Sequence, residues 1–424
     1  MRVTPPIYLS SDTPRWMPRT EADLQAAIDG GLIEESNYFD AKKELVTKGD
    51  NKELARDLAS FANEGGTLII GIAEDKAART FSLAPQSLDG LAEKVNSVAR
   101  TIPDPPLNVV TAEIPTDTDK AVGYLVVQVP ANPQAPHMVD GRYHGRHDKQ
   151  KHVLTDAEVA RLHARRRVAE DDVLALLQRE IDQDPLATYG SQSHLFIVAQ
   201  PLSGQHDMLL KLTSGPGWNM RLAEFIDRAY TTELNDALAG AQIAPDLTDA
   251  GNGFRRAGGA ARATSNLGEG RIHTPTGSST DEHVVELQVL EDGGLRLYFT
   301  RFSDDSEGEQ MLFPAVAVSL TRRLLQLTLA AADEAAYRGG WSLAVGATRL
   351  GGRRPWVSNR WSSWGETTRY TQDSYAQPTS AAWAEINESP AAVANRLVGR
   401  LLRGLGVEQS FTQALTDPEK PTES

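Results

Sequence analysis

Near the start of the chain, Glu35-Ser-Asn-Tyr-Phe-Asp40-Ala-Lys42 places two carboxylates five positions apart and an ammonium two beyond the second. If this is a turn followed by a strand, Asp40 and Lys42 project to one face, because strand side chains alternate. Glu35 has the opposite parity and joins them only if the chain bends near Ser36. Further on, Thr67-Leu-Ile-Ile-Gly-Ile-Ala73 is a continuous apolar run of strand length, typical of a strand buried on both faces, and it ends in Glu74-Asp75. Acids carried to the ends of adjacent strands stand where α/β sheets commonly build sites. Three acids with Lys42 suit a metal-assisted phosphodiesterase. Carboxylates bind Mg2+ or Mn2+, the metal activates water, and a cation neutralises charge on the transition-state phosphorane. Acids at strand ends are also commonly only solvated, so spacing by itself does not choose between the two readings.

A second group of residues suits phosphate. From His137 to Arg167 there are eight Lys and Arg against four acids, and five of the chain's nine histidines. This +4 island stands on a chain of net charge −14, a local basic footprint on an acidic protein. Arg142, Tyr143, Arg146, Lys149 and Lys151 are its candidate nucleic-acid contacts. The competing reading is a solvated loop leading into a charged helix. Arg353-Arg-Pro-Trp356, Arg360-Trp361, Trp364, Arg369-Tyr370 and Tyr375 also interleave cations with aromatics, a mixture that suits stacking on unpaired bases. Packing of that loop onto its own domain is the simpler expectation.

The elements that must position these groups can be read along the chain. Thr20-Glu-Ala-Asp opens a short helix ending near Gly30-Gly31, and a second helix runs from about Asn51 to Gly65-Gly66 with Leu54, Leu58 and Phe61 on one face. A third spans about 87–100. Residues 107–114 and 122–129 are strands, 142–147 an added edge strand, and Thr155-Asp-Ala-Glu158 a capping box opening a basic helix to about Ala169. Asn63 is expected to cap or to adopt the left-handed conformation. Strands and helices around one sheet give an α/β class.

Composition bounds the rest. With 40% apolar and 24% charged residues the chain has an ordinary globular balance. There is no cysteine, which excludes disulfides and every thiolate metal site. No apolar run approaches the ~18 residues of a membrane span, so a cytoplasmic protein with no membrane partner is expected. No Gly-Lys dipeptide occurs, which removes a P-loop, and no G-x-S-x-G elbow supports a serine hydrolase.

Taken together and in order, these motifs resemble a known family. Glu35-Ser36, Asp40-Ala41-Lys42, then Ser60-Phe-Ala-Asn63-Glu-Gly65-Gly66 running into Thr67–Ile72, followed by Tyr143-His-Gly-Arg146 and Thr155–Glu158, look like the Schlafen AlbA_2 domain over roughly residues 20–165. The family pattern is E-S-x-x-x-E-x-K, then F-A-N-x-x-G-G into a glycine-bearing strand, then an aromatic–basic strand before a (T/S)-x-x-E helix. The resemblance implies a nucleic-acid-binding domain and, as in some Schlafens, a Mg2+- or Mn2+-dependent endoribonuclease acting on structured RNA such as tRNA, with RNA favoured over DNA. It places the catalytic and metal-binding acids at Glu35, Asp40 and Asp75, with Glu74 the alternate, and Lys42 beside them. Asp40 departs from the family's usual Glu and is one methylene shorter. Other members act as non-catalytic DNA-binding or regulatory proteins, which is the alternative here; an oligomeric interaction scaffold is a third.

The expected organisation is an N-terminal AlbA_2-type mixed-sheet domain over 1–169, a connecting α/β segment over 170–250, a flexible loop or linker over 251–282, and a separate α+β domain over 283–424. In animal Schlafens the domain occurs as two lobes in one chain, whereas this sequence carries one copy. A homodimer would restore the two-lobed groove, with the apolar helices 320–337 and 391–405 offering a contact.

Overall fold

The computed structural model describes residues 18–33, 35–45, 51–75, 77–78, 80–147, 150–202, 207–230, 247–249, 251–256, 259–275, 283–306, 308–335, 337–356 and 368–417. Two compact units divide the chain, Met1–Arg167 and Val168–Ser424.

In the first unit, α1 (Glu21–Asp29) starts on a capping box in which the Thr20 hydroxyl accepts the Asp23 amide and the Asp23 carboxylate accepts the Thr20 amide. Strand β1 (Phe39–Lys42) crosses over through α2 (Asn51–Phe61) to β2 (Gly66–Ile70), which runs parallel to it. Asp40 lies opposite Leu68, and Lys42 opposite Ile70. Then follow β3 (Ile72–Asp75), β4 (Thr80–Leu83), β5 (Gln86–Ser87), α3 (Leu91–Thr101), β6 (Val110–Pro115) and β7 (Val122–Val129). The main sheet centres on β7, which is antiparallel to β2, β5 and β6.

Alternation along β2 and β7 sorts the apolar side chains into two layers. Leu68, Ile70, Leu125 and Val127 meet Leu54, Leu58 and Phe61 of α2 and Val95 and Val98 of α3. Phe39, Ile69, Tyr124 and Val126 meet Leu24 and Ala27 of α1. Each fully buried Leu or Ile stabilises the unit by about 2 kcal/mol. Asp40 and Lys42 share the parity of the α2 layer, so β1 turns its two charged side chains toward that helix.

The apolar run 67–73, expected as one strand, is two. Gly71 has φ +105°, and its amide donates to the Lys42 carbonyl at 2.8 Å. This left-handed step, which glycine takes without a Cβ penalty, ends β2 and starts the β3–β4 hairpin. Beyond β7, strands β8 (Met138–Val139), β9 (Arg142–His147) and β10 (Gln150–Val153) form their own three-stranded antiparallel sheet rather than an edge of the main one. Helix α4 (Asp156–Asp182) opens on the expected Thr155–Glu158 capping box and runs well past 169.

The second unit is a seven-stranded antiparallel sheet in the order 253–255, 259–263, 285–290, 295–299, 194–201, 340–348, 375–382. Helices Trp218–Tyr230, Pro314–Glu334 and Pro390–Gly404 bury their apolar sides with Leu195, Ile197, Leu287 and Val345 in its main core. Val173 and Leu177 of α4 pack with Phe196, Val198 and Tyr298 in a second cluster. The expectation of a connector followed by a linker is therefore corrected. His194–Pro201 is a central strand, and 253–255 with 259–263 extend the same sheet. The pattern misled because the buried positions there are alanines, Ala260, Ala261 and Ala263, interleaved with Arg255 and Arg262, which are also buried. Burial of both helices 314–334 and 390–404 in this core leaves their apolar faces no role in a dimer contact. Against the expectation that no apolar run approaches a membrane span, Pro314–Glu334 is by length and composition apolar enough to cross a membrane; 67% of its most apolar stretch is buried inside the core.

Candidate nucleic-acid interface and carboxylate site

Two backbone hydrogen bonds between Ser36 and Phe39 close a tight turn ahead of β1. That turn supplies the bend Glu35 needs, and its carboxyl hydrogen-bonds the Asp40 side chain. Glu35 is half-buried and Asp40 is buried. Burial, the adjacent Asp40 charge and the field of Glu74 push the Glu35 carboxyl up to about 7, against the pull of Arg146. Glu35 therefore keeps its proton to far higher pH than an ordinary carboxyl, and the protonated form donates toward Asp40.

Glu74 and Asp75 fall on opposite sides of β3, and the structure separates their roles. Glu74 acts on Glu35, whereas Asp75 is exposed and its Oδ1 accepts the amides of Ala77 and Ala78 at 2.9 and 3.1 Å, closing the hairpin turn. The alternate third acid, Glu74, is thus the one whose negative field reaches Glu35, and Asp75 caps its own loop. Among the described residues no three His, Asp or Glu side chains are grouped to hold a metal ion.

Lys42 shares the face of Asp40, as alternation requires, but its ammonium pairs with Asp57 of α2 at 2.9 Å. Burial disfavours its charge; Asp57 outweighs this and holds Lys42 above its ordinary value. Asp57, 1% exposed, also meets Lys151 at 2.6 Å and Arg146 at 3.7 Å. Arg146 Nη1 reaches Asp40 at 3.5 Å, and its guanidinium stacks 4.4 Å over the Phe61 ring. That ring is seated by Gly66, where a Cβ would fall 2.0 Å from it. Lys151 also pairs with Glu53, while Lys52 and Arg56 pair with Asp140.

The basic island is therefore mixed. Arg142 is exposed, and Tyr143 is half-buried with its ring edge-on to His163 at 6.0 Å. Arg146 and Lys151 turn inward to carboxylates. Lys149 lies outside the described residues. His137 and His144 are buried, and His152 pairs with Glu158 at 3.2 Å. Asn63 neither caps α2 through its side chain nor adopts positive φ; its Nδ2 donates to the His144 carbonyl at 3.0 Å, tying the end of α2 to β9.

Asp57 was not anticipated. Its signal was present, since it stands inside the Leu54, Leu58, Phe61 stripe, where a lone acid must find a partner or stay out of the core. In the second unit, Arg353 donates to Ser193 Oγ at 2.9 Å, Arg369 to the Gly352 carbonyl at 2.6 Å, and Trp356 lies edge-on to Phe313. Those members of the aromatic–basic stretch serve their own fold, as the simpler expectation had it; residues 357–367, with Arg360, Trp361 and Trp364, lie outside the described residues.

No curated protein matches the chain. The family model for Schlafen, AlbA_2 matches residues 35–155, a segment that begins at Glu35 and takes in Asp40, Lys42, Asp57, Glu74, Arg146 and Lys151. This is an α/β chain that carries a Schlafen AlbA_2 domain over residues 35–155.

Proposed function

We propose that this domain binds nucleic acid, RNA ahead of DNA, and acts as a Mg2+- or Mn2+-dependent endoribonuclease on structured RNA such as tRNA. The observation that carries the reading is the Glu35–Asp40 pair, crowded enough to raise Glu35 to about 7 and flanked by the buried Arg146. A carboxyl tuned to neutral pH can accept or donate a proton at its Oε atoms under working conditions. The pair also fits a divalent ion, because a cation in place of the shared proton relieves the repulsion. Mg2+ commonly takes only one or two protein carboxylates together with water and substrate phosphate. When bound, such an ion supplies an activated water and neutralises charge on the phosphoryl group. In this reading Glu35 and Asp40 hold it, Glu74 adds field, Arg146 faces the developing negative charge, and Asp57 orients Arg146, Lys42 and Lys151.

A second reading, a non-catalytic DNA-binding or regulatory domain, draws on the inward pairing of Arg146 and Lys151, which leaves Arg142 as the outward cation of the described strand. One experiment separates them. The purified full chain is incubated with tRNA and with duplex DNA, with Mn2+ and with chelator. Cleavage of tRNA that needs Mn2+ and disappears in Glu35→Gln supports the nuclease; binding without Mn2+-dependent cleavage supports the second reading.

The proposal includes a homodimer in which two copies of the domain together flank the substrate. Light scattering decides this part, since a 46.1 kDa species with full activity would leave it without support.

A further inference from the structure

Beside the carboxylate pair, the first unit has a small cleft that neither pair nor basic island explains. It lies among the Ser36–Phe39 turn, the end of α2, the β9–β10 hairpin and the start of α4, and holds about 60 Å3. Asn37, Asn63 and Arg146 line it. Asn63 is 9% exposed and the Arg146 side chain 4%. Among the described residues, Asn63 Oδ1, Asn37 Oδ1 and Arg146 Nε are buried without a hydrogen-bond partner. Because Asn63 Nδ2 is committed to the His144 carbonyl, the amide's orientation is set and its free atom is an acceptor. Unpaired buried polar atoms are uncommon in folded proteins, and these three, with His152 Nδ1 as a fourth among the lining residues, point to a ligand.

The chemistry selects the occupant. A phosphate only accepts hydrogen bonds: it would meet Arg146 Nε, and Arg161 and His152 also line the cleft, but it would leave the acceptors Asn63 Oδ1 and Asn37 Oδ1 unpaired and would share the cleft with the carboxylates of Glu64 and Glu158. A hydroxyl donates and accepts at once, so a single O–H satisfies Asn63 Oδ1 and Arg146 Nε together. Size points the same way. At roughly 10–15 Å3 per water-sized probe, the cleft takes about four to six such volumes, enough for one edge of a sugar and too few for a nucleobase. Phe61 and Leu154 supply an apolar wall for the sugar's carbon face.

We propose that this cleft is a ribose subsite in which Asn63, with Asn37 and Arg146, reads a 2′-hydroxyl of the bound strand. The inference rests on the nucleic-acid reading above and adds the residues by which RNA is told from DNA. The Arg146 guanidinium joins the two places, with Nη1 on Asp40 and Nε on the cleft.

The test uses the full chain in chelator, so that binding is read without cleavage. A structured RNA hairpin is compared with its all-DNA counterpart and with versions carrying one 2′-deoxy or one 2′-fluoro nucleotide at each position in turn. At one position both changes weaken binding about tenfold, since 2′-fluoro cannot donate to Asn63 Oδ1. Asn63→Ala lowers RNA affinity by a similar factor and leaves DNA affinity unchanged. Asn37→Ala, which spares the Asn63–His144 bond, does the same and guards against a folding defect. Equal affinity for RNA and DNA, with every 2′ change tolerated, overturns the subsite and leaves the nucleic-acid reading standing. Equal losses for RNA and DNA in both variants overturn it as well, and binding to neither nucleic acid overturns both readings.

Discussion

Arg146 approaches Asp40 at 3.5 Å from 106 positions away in sequence, and this contact fastens the β9 strand to the carboxylate site. The guanidinium is also within 3.7 Å of Asp57 and lies on the Phe61 ring, so one side chain serves an acid of β1, an acid of α2 and an aromatic face. Arg146→Ala leaves two buried acids short of a cation. Lys151 still reaches Asp57, so the expected loss is about 2–3 kcal/mol rather than the larger cost of an abandoned buried charge. Urea unfolding measures it, and a change below about 0.5 kcal/mol would show that the contact holds nothing. Arg146→Lys recovers only part, because an ammonium neither stacks flat nor spans two carboxylates.

Asp57 and Asp140 form a matched contrast. Asp57 pairs with three cations and Asp140 with two, but Asp57 is 1% exposed whereas the Asp140 side chain is 33% exposed and its partner Lys52 is 63% exposed. Asp57→Asn should destabilise by about 3 kcal/mol, since Lys42 and Lys151 lose their buried counter-charge. Asp140→Asn should cost far less, and less still in high salt, because its pairs are screened by solvent. Melting both variants at low and high salt checks the pair. Similar losses would mean that burial does not set the strength of this network.

How much of this could be read in the sequence follows from the range of the interactions. The Glu35, Asp40 and Lys42 geometry was legible because strand parity is local and only one bend was needed. The choice between Glu74 and Asp75 was not, because it depends on the Gly71 break, which decides the face each acid takes. The inward turn of Arg146 and Lys151 was hidden too: a basic island looks the same whether it faces phosphate or a buried Asp57 on another element. In the second unit the helices 314–334 and 390–404 carried strong apolar patterns. Strand 259–263 did not, since alanines give no apolar period and Arg255 owes its burial to Glu286, thirty-one positions on.

Glu35 makes stability depend on pH. Its folded value, about 7, lies above its ordinary 4.5, so the native state holds the proton more tightly than the unfolded chain. This contribution is complete below about 4.5 and is lost as pH rises through 7. Glu35→Gln removes the slope. At pH 8 the variant should be more stable than wild type by about 1 kcal/mol, a figure reduced for solvent screening at a half-exposed group. The proposed metal gives a second readout, since Mn2+ should raise the wild-type Tm at pH 8 and leave the variant unmoved. An identical pH slope in both proteins would sink the coupling between Glu35 and Asp40.

His137 predicts the opposite limb. Its ring is fully buried, with Nδ1 against the Pro105 carbonyl at 2.6 Å. Burial lowers its pKa from 6.5 to about 4; Pro105 and Asp104 oppose the fall and Arg166 adds to it. The sign is now reversed. Above pH 6.5 both states are neutral here and the full contribution is present; between 6.5 and 4 the unfolded chain takes a proton that the native state refuses. Stability should therefore fall on acidification through that window, by up to about 3 kcal/mol at its lower end. His137→Asn keeps an N–H for Pro105 and cannot titrate. Carboxylates elsewhere protonate in both proteins, so the quantity to measure is the difference between variant and wild type in urea unfolding at pH 7, 5.5 and 4. The variant should be somewhat less stable at pH 7, because the smaller side chain leaves space, and should overtake wild type before pH 4. Parallel curves across the range would show that His137 accepts its proton in place.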